Sequence, residues 1–482
     1  MTTIKAMPRL AVSRAQAVSL VVAMVAMVSS CGGGGVVGSG GTGRAAGVTV
    51  GTVNGFGSVI VDGLVYDNRS APVVSETAPG VDTIAEVRLG HRVSVEYESA
   101  GVASLIRVEA AVVGTVASVA SPGVFSILGQ TVSANMNGLV GPITQFGGGY
   151  ARAADVHAAD PVEIHGILVR RNGSYTIQAT RIEKLAAAPA YLRVTGLVSG
   201  VGTAGPGLLN LGALGVDIAG STIVPPGTVV VEGQAVTVTA VPAALTQLAS
   251  GGLRLKAVQT RVRQLTGGDL DAYVSGSLSH LDAVAKRFTL GSLVVRYADA
   301  SISPIGAGLA EGLYVLVRGA KAADGSLTAA TVTLRNAGSD EESELKGNIS
   351  GYIAATRHFV VRGVAVDASA ASIQGCPATG LADGVFVEVH GMLVSSGVMA
   401  KTVGCESEAP GSIVERTGVA SSVDTVGKTF GLSRSGGSIS VTWSANTFFN
   451  GVTPLTLNGK TVQVEGQLSG AVLNASKIEL ED

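Results

Sequence analysis

Histidines are the first residues to consider for chemistry, because imidazole binds metals and exchanges protons near neutral pH. His165 and His390 occupy the same position in two similar pentapeptides, VEIHG and VEVHG. Arg318 and Glu465 fill that position in two related segments, and strand alternation places all four side chains on the solvent-exposed face. The six histidines show no HxH or HExxH spacing, so a zinc site has little support. The other four are His91, His157, His280 and His358.

Patterns typical of enzymes are equally scarce. There is no GxSxG nucleophile motif, and Asp269 and Asp271 suit loop charges as well as an acid–base pair. The acidic segment 337–344 is predicted to be a solvated linker, with a calcium site as the alternative. The run Gly38–Gly43 matches GxGxxG but lacks the strand and helix that a nucleotide site needs. These patterns predict no enzymatic activity, no metal and no cofactor, although a site assembled between repeats stays a minor alternative.

One group of aromatic residues is the best local candidate for binding a ligand. Trp443, Phe448 and Phe449 form the densest aromatic group in a chain with a single tryptophan. Aromatic platforms bind sugars and bases, so this group is a candidate ligand-binding surface. The alternative is that the three rings fill the core of their own domain.

The N-terminus has the layout of a secretory signal. Lys5, Arg9 and Arg14 precede an uncharged run, and the segment Val28-Ser29-Ser30-Cys31 resembles the bacterial lipobox. This resemblance implies a signal peptide at 1–30 and a lipidated Cys31 that becomes the mature N-terminus. A retained membrane anchor is the weaker alternative, because the run is shorter than the roughly 20 residues that span a bilayer.

The glycine-rich segment 31–47 is predicted to be a flexible tether between the lipid and the folded body. In a Gram-negative lipoprotein, aspartate directly after the lipidated cysteine retains the protein at the inner membrane. Because Gly32 stands at that position here, we expect sorting to the outer membrane. Removing Cys31 for lipidation leaves Cys376 and Cys405, which we expect to form a disulfide in an oxidising compartment. Two independent buried thiols are the alternative.

The rest of the chain repeats one unit six times. Each copy opens with a glycine followed two residues later by an apolar residue, as at Gly51, Gly114 and Gly276. Copies one to six are assigned to 48–109, 110–187, 190–265, 270–336, 345–408 and 414–482. Repeats of this kind must be found first, because they determine the architecture.

Within a copy the pattern predicts five short strands. A strand is followed by a tight hairpin such as VIVDGLVY, in which Asp62-Gly63 suits a type I′ turn and Gly291-Ser292 in copy four a type II′ turn. An alternating strand that usually ends in glycine and a last strand follow. This size and pattern favour an all-β chain of tandem small antiparallel OB-like β-barrels. A sandwich of neighbouring copies or one long β-solenoid is the alternative.

The same motifs resemble a known family. The stretch VGTVNGFGSVIVDGLVYD from Val50, the GxxVxVxG strand from Gly384 to Gly391 and a closing A-x-x-I/V strand are similar to the bacterial domain-of-unknown-function 5666 family. Copy one resembles it most, copies four to six less, and copies two and three are longer and more divergent. The resemblance implies OB-like domains, often in tandem in lipid-anchored envelope proteins, and no activity or site residues to carry over.

Composition limits the partners. The chain of 482 residues has a net charge of -2 and only 4% aromatic residues, which argues against nucleic acid binding. We expect an elongated, lipid-anchored cell-envelope scaffold without enzymatic activity, which faces either the periplasm or the cell exterior. Its partners would be the membrane, through the lipid, and an envelope polymer or protein. Binding of an oligosaccharide is the alternative function.

Overall fold

The computed structural model describes residues 47–68, 71–99, 101–265, 271–335, 342–378, 380–406, 413–434 and 437–481. The signal peptide, Cys31 and all but the last residue of the tether therefore lie outside the described residues. The described part is all-β, with three short 3-10 helices. These helices are Gly138–Val140, Ala153–Asp155 and Pro242–Ala244. Among the described residues no helix combines the length and apolarity needed to cross a membrane.

Copies one to three are the more elaborate half of the chain. Copy one contains β1 Gly47–Gly55, β2 Val59–Val61, β3 Leu64–Tyr66, β4 Val73–Ala78, β5 Val81–Ile84, β6 Arg92–Ser99 and β7 Val102–Val108. Copy two contains β8 Val112–Thr115, β9 Ser118–Ser121, β10 Val124–Ile127, β11 Gln130–Ala134, β12 Gln145–Gly147, β13 Pro161–Arg171 and β14 Ser174–Lys184. Copy three contains β15 Leu192–Ser199, β16 Leu208–Leu211, β17 Leu214–Asp217, β18 Thr222–Val224, β19 Ala235–Ala240, β20 Leu245–Gln247, β21 Leu253–Lys256 and β22 Gln259–Val262.

Copies four to six are simpler. Copy four contains β23 Asp271–Asp282, β24 Arg287–Leu290, β25 Leu293–Arg296, β26 Ser301–Ser303, β27 Tyr314–Lys321 and β28 Leu327–Leu334. Copy five contains β29 Glu342–Ile353, β30 His358–Val361, β31 Val364–Asp367, β32 Ser372–Gln374, β33 Phe386–Val394 and β34 Gly397–Cys405. Copy six contains β35 Ile413–Asp424, β36 Thr429–Arg434, β37 Gly437–Asn450, β38 Thr461–Ser469 and β39 Val472–Leu480. Strand β29 begins inside the segment 337–344 that the sequence assigns to a linker.

The hairpin turns follow from the sequence. Asp62 and Gly63 have φ values of 47° and 84°, as a type I′ turn requires. Gly291 has a φ of 60°, which suits the first central position of a type II′ turn. These turns fix the register of β2 with β3 and of β24 with β25.

Copy six closes into a barrel in the order β35-β36-β37-β39-β38. Its third and fifth strands, β37 and β39, pair in parallel. Copies four and five have the same order, with parallel pairs β25–β28 and β31–β34. A purely antiparallel barrel is therefore wrong, because closing the ring brings the third strand beside a fifth strand that runs the same way.

The glycine expected to end the fourth strand lies instead in its middle, at a β-bulge. In copy five the pairing of β33 with β34 shifts between His390 and Gly391, and the strand continues to Val394. A Cβ atom at Gly391 would overlap the backbone carbonyl of Met399. Glycine is needed here because the bulge brings the neighbouring strand too close for a side chain. Gly166, Gly319 and Gly466 occupy the same bulge in copies two, four and six.

The copies are joined through shared sheets and cores. Copies one and four form a 13-stranded sheet through the parallel pair β1–β23, and copies two and three form a 15-stranded sheet through β8–β15. Copies two and three also share one hydrophobic core, and copies one and five share another. The body is continuous from copy to copy, which is a solenoid-like feature, rather than an array of independent beads.

Copy one is the hub of this body, because it contacts each of the other five copies. Its Gly90 carbonyl accepts a 2.6 Å hydrogen bond from Thr180 of copy two, and its Glu76 lies 3.0 Å from Arg261 of copy three. Strand β1 pairs with β23 of copy four, and the N–H of Phe56 donates a 2.8 Å hydrogen bond to the carbonyl of Glu344 on β29. Glu86 lies 2.7 Å from Lys477 of copy six. Copy one thus packs mainly against copies four and five, which are not its neighbours in the sequence.

Candidate functional site

A cavity of about 500 Å³ lies where copies one, two, five and six meet. This volume is in the range of small-molecule sites, roughly 300–1,000 Å³. Its wall combines charged side chains, three aromatic rings and exposed backbone. The lining includes Phe56, Glu86, Arg88, Gln145, Phe146, Tyr150, Arg181, Arg362, Lys477, Glu479 and the backbone of residues 363–365 and 395–397.

Ion pairs between copies form one side of the cavity. Lys477 of copy six lies 2.7 Å from both Glu86 of copy one and Glu479. Glu86 also lies 2.8 Å from Arg88, which pairs with Glu183 of copy two. These side chains are partly buried, and in this environment an unpaired charge would be unfavourable. The network therefore fixes the three copies relative to one another.

The pKa values of the network show how tightly it is balanced. Burial alone would raise the pKa of Glu86, but Arg88 and Lys477 bring it below its usual range. Burial would likewise lower the pKa of Lys477, but its two carboxylate partners raise it. Glu86 and Lys477 are therefore both ionised at neutral pH. Lys477 balances the charges of Glu86 and Glu479 together with Arg88, so the carboxylates of this wall already have cationic partners.

Copy five supplies the opposite wall. The guanidinium of Arg362 stacks over the ring of Phe56, 5.1 Å from its centroid, and pairs with Glu465 of copy six. Gln145 on β12 donates a hydrogen bond of 3.0 Å to the backbone carbonyl of Val394. Phe146 follows on the same strand and is half-buried. The cavity thus offers the Phe146 ring beside fixed donors and acceptors.

Two histidines are buried beneath this site, between copies one and two. The rings of His91 and His165 lie 4.3 Å apart, and their side chains are 6% and 0% exposed. The expected exposed position of His165 is therefore wrong, because the outer face of β13 is covered by copy one. His165 Nδ1 lies 3.0 Å from the carbonyl oxygen of Glu109, and its Nε2 lies 3.0 Å from Glu163 Oε1.

His91 has a different environment from its neighbour. Its Nδ1 accepts a hydrogen bond of 3.2 Å from the backbone N–H of Arg88, and its Nε2 lies 3.7 Å from Glu183 Oε2. Burial, and then the nearby His165, lower the pKa of His91 to about 3. Burial opposes the ionisation of Glu183, but His91, Arg181 and Arg88 hold its pKa well below the usual range.

His390 has a partly exposed environment in copy five. Its Nε2 lies 3.2 Å from Glu388 Oε1, and one ligand atom each of Glu344, Glu388 and His390 lie within 4.8 Å of one another. Burial, and then the charge of Glu388, raise the pKa of Glu344. Lys346 lies 3.3 Å from Glu388 Oε2 and 3.4 Å from Glu406.

A family model is decisive for the relationship of this chain to known proteins. The model of the Domain of unknown function (DUF5666) matches residues 113–183, 275–333, 346–403 and 417–479, which together are just over half of the chain. The chain belongs to the DUF5666 family. The matched segments correspond to copies two, four, five and six.

Copy one, expected to resemble DUF5666 most closely, is not among the matched segments. It departs from the DUF5666 pattern in two ways that serve its position as the hub. Tyr97 stands at the bulge where glycine stands in the matched copies, and its hydroxyl donates a 2.9 Å hydrogen bond to the carbonyl of Asp271 in copy four. Strand β4, which corresponds to β12, β26 and β32 of the matched copies, is extended by an additional strand β5, and this hairpin carries Glu76, which contacts copy three.

Other comparisons add little to the DUF5666 assignment. A solved structure described as "drosophila Unr CSD456" aligns with 43% of this chain and 96% of its own length, at 9% identity and a TM-score of 0.12. A similarity this low supports no argument. No curated protein sequence matches the chain.

The candidate aromatic group lies in the last DUF5666 copy, on strand β37, where Phe448 stands beside the cavity residue Lys477 in the parallel ladder with β39. Trp443 is buried in the core of copy six, 5.9 Å from Phe430 and 6.2 Å from Phe449 between ring centroids. Phe448 and Phe449 are half-buried. This packing favours a core role for Trp443, and binding of a ligand at the group stays a prediction.

The predicted cysteine pair is close enough to be bonded. Cys376 and Cys405 lie within disulfide-bonding distance, with Cα atoms 4.7 Å apart. They close a loop of copy five around β33. Cys31 lies outside the described residues, so its lipidation stays a prediction.

Sequence reasoning missed the cavity. Its lining comes from four copies, and Glu86 and Lys477 are separated by 391 positions. No pattern along the sequence says which copies meet.

Proposed function

We propose that this DUF5666 protein is a lipid-anchored, non-enzymatic scaffold of the cell envelope that binds an oligosaccharide segment of an envelope polymer in the four-copy cavity. Cys31 would carry the lipid, and Gly32 would direct the protein to the outer membrane. Each copy would be an OB-like barrel unit, as the strand order of copies four, five and six suggests. The function then resides in the place where the units meet.

The observation that carries the proposal is the charge balance of the cavity. Among the described residues at its wall and their direct partners, four cations pair with four carboxylates. They are Arg88, Arg181, Arg362 and Lys477 with Glu86, Glu183, Glu465 and Glu479. An ionic ligand would have to separate one of these partly buried pairs and leave one partner unpaired, which is unfavourable.

A neutral polyhydroxyl ligand avoids this cost. Its hydroxyl groups donate to carboxylates and accept from guanidinium groups without changing the charge balance, and these charge-assisted hydrogen bonds are strong. Phe146, which is half-buried, offers an apolar face to the C–H groups of a sugar ring. The near-neutral charge of the whole chain also favours a neutral partner over nucleic acid.

The test is binding of a panel of neutral and charged oligosaccharides to the full chain, measured by isothermal titration calorimetry. Phe146→Ala removes a half-buried ring from the cavity wall and should weaken binding by about tenfold or more, by analogy with other aromatic contacts. Phe448→Ala tests the rival candidate group of copy six, and Tyr175→Ala is the control, because it removes a half-buried ring of copy two that does not line the cavity.

The outcomes separate three functions. Loss of binding in Phe146→Ala alone supports the cavity. Loss in Phe448→Ala alone would move the site to copy six. The absence of binding to any neutral glycan would refute the ligand and leave a scaffold that acts through protein contacts.

Lipid anchoring has its own test. Cells that express the full chain are labelled with a radioactive or clickable fatty acid, and the Cys31→Ala variant is the control. Label on the native chain that is lost in the variant supports the anchor. Label in neither chain, or a mature N-terminus upstream of Cys31, would refute it.

A further inference from the structure

We infer that Glu344 on β29, together with Glu388 and His390 on β33, forms a binding site for a divalent transition metal ion such as Zn²⁺. The site is independent of the cavity and of the proposed glycan. Sequence spacing does not reveal it, because Glu344 belongs to the acidic segment before copy five while the other two ligands follow on β33.

The backbone places the three side chains on one face of two neighbouring strands. Glu344 on β29 stands directly opposite His390 on β33 in the antiparallel ladder, and Glu388 precedes His390 by two residues. The three ligand atoms lie within 4.8 Å of one another. Tetrahedral zinc with bonds near 2.0–2.2 Å needs ligand atoms about 3.5 Å apart. Small rotations of partly exposed side chains are sufficient to reach that spacing.

The strands themselves are held in place. The carbonyl oxygen of Glu344 accepts a 2.8 Å hydrogen bond from the N–H of Phe56, and the N–H of Lys346 donates to the carbonyl of Phe56 at 2.7 Å. Strand β29 is thus held between Phe56 of copy one and strand β33, while the side chain of Glu344 stays partly exposed. A rigid backbone with an open side-chain face is what a metal site with exchangeable water ligands requires.

The local charge also favours a cation. Three carboxylates, those of Glu344, Glu388 and Glu406, surround the single ammonium of Lys346 among the described contacts. Lys346 contacts Oε2 of Glu388, so Oε1, which faces His390, stays available as a ligand. A divalent ion would neutralise the remaining like charges of Glu344 and Glu388.

The ligand set selects the class of ion. Calcium and magnesium prefer oxygen ligands throughout, whereas one imidazole nitrogen with two carboxylates suits zinc and its neighbours. Copy two shows the contrast within the same chain. In the equivalent pair of Glu163 and His165 the imidazole is buried, and its second nitrogen is engaged by a backbone carbonyl.

The test is equilibrium dialysis of untagged full chain against Zn²⁺ at pH 7.5, with the visible spectrum of Co²⁺ as an independent readout of nitrogen and oxygen ligation. We expect one ion per chain. His390→Gln and Glu344→Gln should each weaken binding by roughly tenfold or more, since even residues that only orient a ligand contribute 10- to 100-fold.

The matched control is His358→Gln in the same copy. His358 is half-exposed and lies 3.7 Å from Asp367, so it forms a two-ligand pair that should not hold an ion alone. Thermal unfolding curves that coincide with the native chain show that each variant is folded. Unchanged Zn²⁺ binding in folded His390→Gln, equal loss in His358→Gln, or no binding to the native chain at about 100 μM Zn²⁺, far above the affinity range of structural zinc sites, would overturn the site.

Discussion

The buried His91 makes the junction between copies one and two sensitive to acid. The perturbation is a change from pH 7 to pH 5. An unfolded histidine has a pKa near 6.5, and in the folded chain the pKa of His91 falls to about 3. Above pH 6.5 both states are neutral and the effect disappears. Below pH 6.5 the unfolded segment binds a proton that the folded segment does not, so stability falls as the pH falls toward 3.

The size of this loss of stability between pH 7 and pH 5 depends mainly on the pKa of the histidine in the unfolded state. Each pH unit below 6.5 costs about 1.4 kcal/mol, so His91 alone should lower the free energy of opening by about 2 kcal/mol between pH 7 and pH 5. The groups that face the ring are Glu183, Arg181, His165 and the backbone of Arg88. Glu183 favours protonation of His91, but burial, His165 and Arg181 disfavour it and together have the larger effect.

Native-state hydrogen exchange is the suitable assay, because a body of six joined copies need not unfold in a single step. Protection of the amides of β6 and β13, corrected for intrinsic exchange, should fall on the order of 30-fold more in the native chain than in His91→Asn. Asparagine keeps an oxygen that accepts the Arg88 N–H but does not titrate. His157→Asn, which changes an exposed histidine of copy two, is the control. An identical pH dependence in the native chain and in His91→Asn would refute the reasoning.

Three further predictions concern single copies. Burial raises the pKa of Glu415 to about 7, so above pH 4.5 ionisation of this carboxyl increasingly destabilises the folded chain relative to the unfolded one. Glu415→Gln should therefore stabilise copy six by on the order of 3 kcal/mol at pH 8 and not at pH 4. Urea unfolding followed by tryptophan fluorescence measures this difference. Gly319→Ala should destabilise copy four by about 1–3 kcal/mol in urea unfolding, because its Cβ would overlap a backbone carbonyl of the next strand. Gly308→Ala is the control, because a Cβ at that position meets open space. Equal effects of the two substitutions would contradict the bulge argument. Reduction of the disulfide between Cys376 and Cys405, which are 29 positions apart, should lower the stability of copy five by about 3–4 kcal/mol, visible as faster hydrogen exchange in β34, and unchanged exchange would argue against a bonded pair.

The elements that sequence predicts well are local. Period-two alternation and turn residues that tolerate positive φ identify the hairpins at Asp62 and Gly291, because both signals act over a few residues. The pairing of Cys376 with Cys405 follows from simple elimination once Cys31 is assigned to the lipid. The repeat pattern and the family follow from the same short motifs.

The bulge shows where a local signal is seen but misinterpreted. The glycine at Gly391 and its counterparts marks a special backbone position, and the sequence suggests the end of a strand. The actual reason is the close approach of the neighbouring strand, which a pattern along one strand does not contain.

The sequence by itself determined that this protein is all-β, repetitive and a member of its family, because those properties depend on contacts within a copy. Only the tertiary structure decided that copy one is the hub, that His165 is buried, and that Glu86 meets Lys477. Alternation assigns each polar strand face to the outside of its own copy, and that outside becomes an interior wherever two copies pack. Which faces are covered depends on long-range docking, whose energy is spread over residues hundreds of positions apart.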